Sequence, residues 1–118
     1  MIRFFLVLIA ACVVGCSTAQ VGFRPLGPTY PARPADAPVE LFETGAPTRA
    51  FERIARVDAH FEHTAGISTP RERAIEELKK QARASGSDAI IEIRTQRSEV
   101  GETLILHVTG IGIRYTAP

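Results

Sequence analysis

The segment from Thr103 to Tyr115 constrains the fold most strongly, because it carries apolar side chains at both odd and even positions. A strand that is apolar on both faces is normally a central strand of a sheet. Gly110 and Gly112 fall on one of these faces, where the missing side chains leave room for a neighbouring element to approach closely. We interpret this as space for a helix. The segment therefore predicts a sheet with this strand at its centre and a helix across one face.

The helix is predicted between Thr69 and Gly86. Thr69 is a candidate N-cap, Pro70 stands at the first helical position, and Glu72 lies three residues after the cap, which is the arrangement of a capping box. Gly86 is the expected C-terminal stop. An apolar stripe at helical spacing lies between these signals, with charged residues on the opposite side; it consists of Ala74, Ile75, Leu78 and Ala82.

Three further strands are predicted over residues 39–42, 51–61 and 88–95. The second of them alternates with a period of two, which is typical of a half-buried strand; its apolar face carries Ala55, Val57, Ala59 and Phe61, and its polar face carries Arg56, Asp58, His60 and Glu62. In the third, Ala89, Ile91 and Ile93 are expected to share a face, and a turn is expected over residues 98–101. The order is β-β-α-β-β, which predicts an α+β domain over residues 39–116, with one small sheet and a single helix packed on one face.

The amino terminus predicts an exported lipoprotein. Phe4 to Val14 is an apolar run of eleven residues, too short for a membrane-spanning helix of roughly 20 residues and suited to the apolar region of a secretory signal. The run ends in Val13, Val14, Gly15 and Cys16, which resembles the processing site of bacterial lipoproteins. We therefore expect residues 1–15 to be removed as a signal peptide and Cys16 to carry covalent lipid.

A lipid anchor would hold the mature protein at a bilayer surface without spanning it. In such proteins Ser17 after the cysteine favours the outer membrane, so the expected location is the bacterial cell envelope, facing the periplasm. Residues 16–38 are predicted to be a tether, since proline blocks helices and inner strands; the prolines are Pro25, Pro28, Pro31, Pro34 and Pro38.

Charge and cysteine content exclude several classes of protein. The loss of Arg3 with the signal reduces the 14 basic residues to 13, equal to the 13 acidic ones. This balance, without a basic stripe, argues against nucleic-acid binding. Cys12 lies inside the predicted signal and Cys16 would be acylated, so the exported domain is left with neither a disulfide nor a thiolate metal site.

Short motifs over residues 39–116 resemble the YbjQ-like “putative heavy-metal-binding” proteins and the RcsF envelope-stress lipoproteins. They are the segments 39–42, 46–47 and 51–54, then a helix rich in alanine and leucine, then 86–91 and 109–114. The resemblance implies a small exported α+β domain. RcsF-type domains also carry disulfides, for which this mature chain has no cysteine.

The candidate metal ligands are Asp58, His60 and His63, since imidazole and carboxylate suit zinc, copper or nickel. Asp58 and His60 lie two residues apart and share a strand face, and His63 follows just past the predicted strand end. His107 stands on another strand and would join them only in a favourable register. The favoured interpretation is an ordinary exposed polar face, so no metal site is predicted, and metal binding by these residues is the alternative.

No nucleophile–base pair or phosphate loop is recognisable, so neither a catalytic residue nor a cofactor beyond the lipid on Cys16 is expected. The favoured function is a non-enzymatic lipoprotein that binds another envelope component, through the exposed sheet face or a free strand edge. The alternatives are a metal-binding or metal-stress accessory protein and a purely structural envelope lipoprotein.

Overall fold

The computed structural model describes residues 22–64 and 70–117, which form a five-stranded sheet with one helix against it. In chain order the elements are β1 (Arg24–Pro25), β2 (Glu40–Leu41), β3 (Phe51–Thr64), α1 (Pro70–Ser85), β4 (Ala89–Val100) and β5 (Thr103–Tyr115). The strand order is β1-β3-β5-β4-β2, and only the β2–β4 pair is parallel among these. The α+β class, the β-β-α-β-β order and the central position of β5 are confirmed, with β1 as an additional short strand.

Helix α1 begins where the sequence predicts, although the candidate cap Thr69 lies outside the described residues. At its other end Gly86 adopts a φ of +84°. The Ser87 amide donates to the Ala82 carbonyl at 2.8 Å, and the Gly86 amide donates to the Arg83 carbonyl at 3.1 Å. These two bonds form a Schellman motif, which satisfies carbonyls that the helix end would leave without partners. The predicted role of Gly86 is confirmed.

The apolar stripe of α1 packs against one face of the sheet. Leu78 is completely buried at the centre of this contact. The core cluster consists of Ala74, Ile75, Leu78 and Ala82 from the helix and Val57, Ala59, Ile90, Leu106 and Val108 from the sheet. The opposite face of the sheet, called here the open face, carries a smaller apolar cluster at one end. Beside this cluster the open face carries polar side chains, among them Arg56, Asp58, His60, His107 and Thr109.

The space above the two glycines of β5 is filled by residues that follow the helix, not by the helix itself. A Cβ at Gly110 would lie 2.6 Å from Cγ2 of Ile90, and a Cβ at Gly112 would overlap Oγ of Ser87. The expectation of close approach on this face is therefore correct, but the residues that approach are Ser87 and Ile90. Both glycines are buried because these side chains cover them.

Two strands are longer than predicted. Strand β3 continues through Thr64 instead of ending at Phe61, and β4 continues to Val100, so the turn falls at residues 101–102. The prediction that Ala89, Ile91 and Ile93 share a face is wrong for Ile93, because a β-bulge interrupts the register between Ile91 and Arg94. As a result Ile93 packs against the helix-side cluster.

Residues 22–38, predicted to belong to an extended tether, pack on the domain. The Arg33 amide donates to the Arg83 carbonyl at 2.8 Å, and the Arg33 guanidinium donates to the Pro38 and Ser87 carbonyls at 2.9 Å each. The same guanidinium lies 3.5 Å from Asp88. The described part of this segment contains no helix and only the two-residue strand β1, but its proline carbonyls remain free to accept bonds from arginine. This part of the chain is therefore fastened to the domain and does not extend away from it.

Candidate functional site

The polar part of the open face brings two histidines together. Register places His60 of β3 directly opposite His107 of β5, and Asp58 opposite Thr109. On the other side of β5, Gln96 of β4 stands opposite His107. Side chains on directly opposite residues of antiparallel strands lie on the same face and contact each other. The two imidazoles are therefore neighbours, although the whole of α1 separates them in sequence.

Each of these imidazoles has a carboxylate close by. The ring centroids of His60 and His107 are 5.9 Å apart, edge to face. Nε2 of His107 lies 3.8 Å from Oδ2 of Asp58, and Nε2 of His60 lies 3.3 Å from Oε1 of Glu62. The four side chains are between 41% and 63% exposed, so they are open to a solute. The arrangement is two histidine–carboxylate pairs side by side on a rigid sheet.

The backbone of this site is held by Gln81 of α1, whose side chain is almost fully buried. Its Oε1 accepts a hydrogen bond from the Asp58 backbone amide at 2.9 Å, and its Nε2 donates one to the Asp58 carbonyl at 2.6 Å. The side-chain amide thus takes the place of a neighbouring strand on the outer edge of β3. Both buried polar atoms are satisfied in this way, which is the usual condition for a polar group in a core. Gln81 is a residue that positions Asp58.

The nitrogen and oxygen donors suit a divalent ion of intermediate softness. The surroundings do not suit a structural metal site, in which protein ligands occupy every coordination position. Imidazole nitrogen together with carboxylate oxygen is the chemistry that zinc, copper and nickel accept. A structural zinc site holds four protein ligands. Within residues 22–64 and 70–117, no group of three or more histidine, cysteine, aspartate or glutamate side chains is already arranged to hold a metal. An ion bound here would therefore keep water among its ligands.

The structure brings together two of the three candidate ligands, and the strand register also brings in His107, whose participation the sequence left conditional on that register. Asp58 and His60 share the open face as expected. His63 lies inside β3 opposite Leu104, at an odd spacing from His60, and its side chain is outside the described set. Glu62 was not predicted as a ligand. Its spacing of two residues from His60 indicates that it lies on the same strand face, as Asp58 does on the other side of His60. Gln81 was also missed; the signal was a polar residue within the apolar stripe of α1.

The predicted lipidation residue Cys16 and the preceding Val13, Val14 and Gly15 lie outside the described residues. Where the structure is described, none of the helical segments has the length and apolar character required to cross a membrane.

A cleft of about 450 Å³ beside the start of β4 is lined by charged groups that already have partners. Arg49 stacks over the Tyr115 ring at 3.9 Å, and the Tyr115 hydroxyl donates to Glu40 at 3.2 Å. Burial, followed by the neighbouring Glu40 carboxylate, raises the pKa of Tyr115 above its ordinary value. Arg33 and Asp88 form an ion pair across the same cleft. These contacts tie Glu40 and Arg49 to the carboxyl-terminal strand and Arg33 to the start of β4, so the charged groups of this cleft are already paired.

Comparison with known proteins identifies one family. A family model described as “putative heavy-metal-binding”, of the YbjQ-like type, matches residues 58–116, which is half of the chain. The match begins at Asp58 and includes α1, β4 and β5, so it covers both histidines of the pair. No curated protein and no solved structure gives a significant match. The YbjQ-like part of the resemblance is therefore confirmed, and the RcsF-like part stays a prediction.

Proposed function

We propose that this chain, which belongs to the family described as “putative heavy-metal-binding”, binds a divalent transition-metal ion on the open face of its sheet. The ligands would be His60 and His107, with Asp58 as the acidic partner. The observation that carries the proposal is the register of β3 and β5, which sets the two imidazoles directly opposite each other. The family description supports the same chemistry.

The geometry favours a readily exchanged ion over a permanently held one. The ligands come from neighbouring strands of a hydrogen-bonded sheet, so binding requires side-chain rotation without a change of backbone. Both imidazoles are about half exposed, which leaves coordination positions to water. Neutral imidazole is the form that binds a metal, so acid weakens binding. Such a site suits uptake and release of zinc, copper or nickel.

Replacing both histidines is expected to weaken metal binding strongly. The wild-type chain should bind zinc, copper or nickel in the micromolar range by titration calorimetry. His60→Ala with His107→Ala should weaken this by about 100-fold or more, since even the loss of a second-shell partner costs about 10–100-fold. Metal at about 100 times its dissociation constant should also stabilise the wild-type fold by about 2.7 kcal/mol.

Two matched variants control this experiment. Gln96→Ala removes a neutral neighbour of His107 from the same face and should leave the affinity unchanged. His63→Ala should also leave the affinity unchanged, because His63 stands opposite Leu104 of β5, whereas His60 stands opposite His107. Failure of the wild-type chain to bind any of the three metals at micromolar concentration would exclude the proposed function.

We also propose that the chain is an exported lipoprotein anchored through Cys16. The support is the apolar run that ends in Gly15 and Cys16. In cells that process lipoproteins, the membrane-extracted protein should begin at Cys16 and have an intact mass increased by acyl chains. Cys16→Ser should keep its full signal and lose the acyl mass. A Cys16→Ser protein that is still cleaved before residue 16 and still held at the membrane would contradict this proposal.

An exposed edge of the sheet supports the proposal that the anchored domain binds another envelope protein. Strand β2 pairs only with Ala89 and Ile90, and every residue of β4 from Arg94 to Val100 is exposed. Free backbone groups on such an edge can pair with an added strand. Crosslinking from this edge in intact cells would capture a specific neighbour, whereas a purely structural lipoprotein would give none.

A further inference from the structure

Two β-bulges lie in the same half of the sheet, one on each strand that flanks β5. On β3 the register with β5 shifts between Arg53 and Ala55, and on β4 it shifts between Ile91 and Arg94. Bulges are frequent beside functional sites, where they redirect a side chain from one face of the sheet to the other. Paired bulges around one central strand therefore point to a site over that strand.

Each bulge places an arginine on the open face. Without the shift in β4, Ile93 would stand opposite Thr109; with it, Arg94 takes that position and Ile93 packs towards the helix. On β3 the shift brings Arg56 opposite Ile111. The two arginines thus line a cleft of about 270 Å³ from both sides, with Thr109 on its floor.

The charges at this cleft are not balanced within the domain. Neither Arg56 nor Arg94 forms an ion pair with another of the described residues. The Glu92 carboxylate also lines the cleft, and it is paired with Arg53 at 3.4 Å. Strand β1 adds a third positive charge, because Arg24 stands directly opposite Arg56. Like charges on opposite residues of a sheet destabilise it. An anion in the cleft would relieve this repulsion.

The backbone at the bulge is also strained. Glu92 has a φ of +54° and is the only non-glycine residue with a positive φ in the described part of the chain. A residue in this conformation costs on the order of 1–3 kcal/mol, and such strain is concentrated at ligand sites. The strain accompanies the register shift that puts Arg94 on the open face.

We propose that Arg56 and Arg94, with the Thr109 hydroxyl, form a binding site for a phosphate-type oxyanion. Guanidinium groups present paired N–H donors that match the oxygens of phosphate, and two of them balance a doubly charged anion. The site adjoins the histidine pair, since Thr109 stands opposite Asp58 and two residues from His107. The proposal does not depend on metal binding.

Titration of the full chain with inorganic phosphate, followed by calorimetry and by backbone amide NMR shifts, tests the proposal. Phosphate should shift the amides around Arg56, Arg94 and Thr109, and it should bind more tightly than acetate. Arg56→Gln with Arg94→Gln should weaken phosphate binding at least about tenfold, because each lost bond is charge-assisted. This variant should remain folded, since it removes like charges.

Arg97→Gln is the matched control, because Arg97 lies on the same strand outside the cleft and pairs with Glu99 at 3.5 Å. Its phosphate affinity should equal that of the wild type. The variant without His60 and His107 should keep phosphate binding, which separates this site from the metal site. Equal phosphate affinity in the double arginine variant and the wild type, or shifts remote from the cleft, would overturn the proposal. If the double variant does not fold, Thr109→Val takes its place, and a phosphate affinity equal to that of the wild type would then overturn the proposal.

Discussion

Leu78→Ala is expected to lower the free energy of unfolding by about 2–5 kcal/mol, which is the usual cost of truncating a large buried side chain. Leu78 is completely buried between α1 and the sheet, so its removal leaves a cavity and loses apolar contacts. Urea unfolding followed by circular dichroism measures the change. A domain without disulfides depends heavily on this contact, because packing has to supply its stability.

Glu76→Ala provides the matched control on the same helix. Glu76 faces solvent, and its contact with Lys79 at 3.5 Å is a partly exposed ion pair, of a kind that contributes little to stability. Its replacement should change the free energy of unfolding by less than about 0.5 kcal/mol. If Leu78→Ala lowers the free energy of unfolding no more than Glu76→Ala does, Leu78 is not packed between α1 and the sheet as described.

Gly112→Ala should be the second strongly destabilising change, with an expected cost of about 1–3 kcal/mol from overpacking. The added Cβ would overlap Oγ of Ser87 and would lie 3.1 Å from its Cβ. Ser87 is completely buried, and its hydroxyl lies 2.7 Å from that of Ser85, so it has little freedom to move aside. The same urea unfolding measurement applies.

A second substitution distinguishes this steric effect from other effects of alanine. Ser87→Gly removes both atoms that the new Cβ would meet, so the Gly112→Ala, Ser87→Gly double variant should be more stable than the sum of the two single effects predicts. Such a non-additive result is expected of residues in direct contact. Strict additivity of the two changes would show that Ser87 does not fill the space above Gly112.

Much of the secondary structure could be predicted because its signals are local. The alternation in β3 identified Val57 and Ala59 as buried, and both are. The site was predicted less completely. Asp58 and His60 were recognised from their spacing on one strand, but the position of His107 depends on how β3 and β5 pair, and a shift of one residue would send it to the other face.

The sequence by itself determined the bounds of α1, the face that this helix buries and the central place of β5, since capping residues and side-chain periodicity act within a few neighbouring positions. Only the tertiary structure decided the His60–His107 pairing, the bulges that turn Arg56 and Arg94 to the open face, and the attachment of residues 22–38 through Arg33. These depend on strand register and on hydrogen bonds between residues far apart in sequence. No local pattern carries that information, because it arises only when the strands meet.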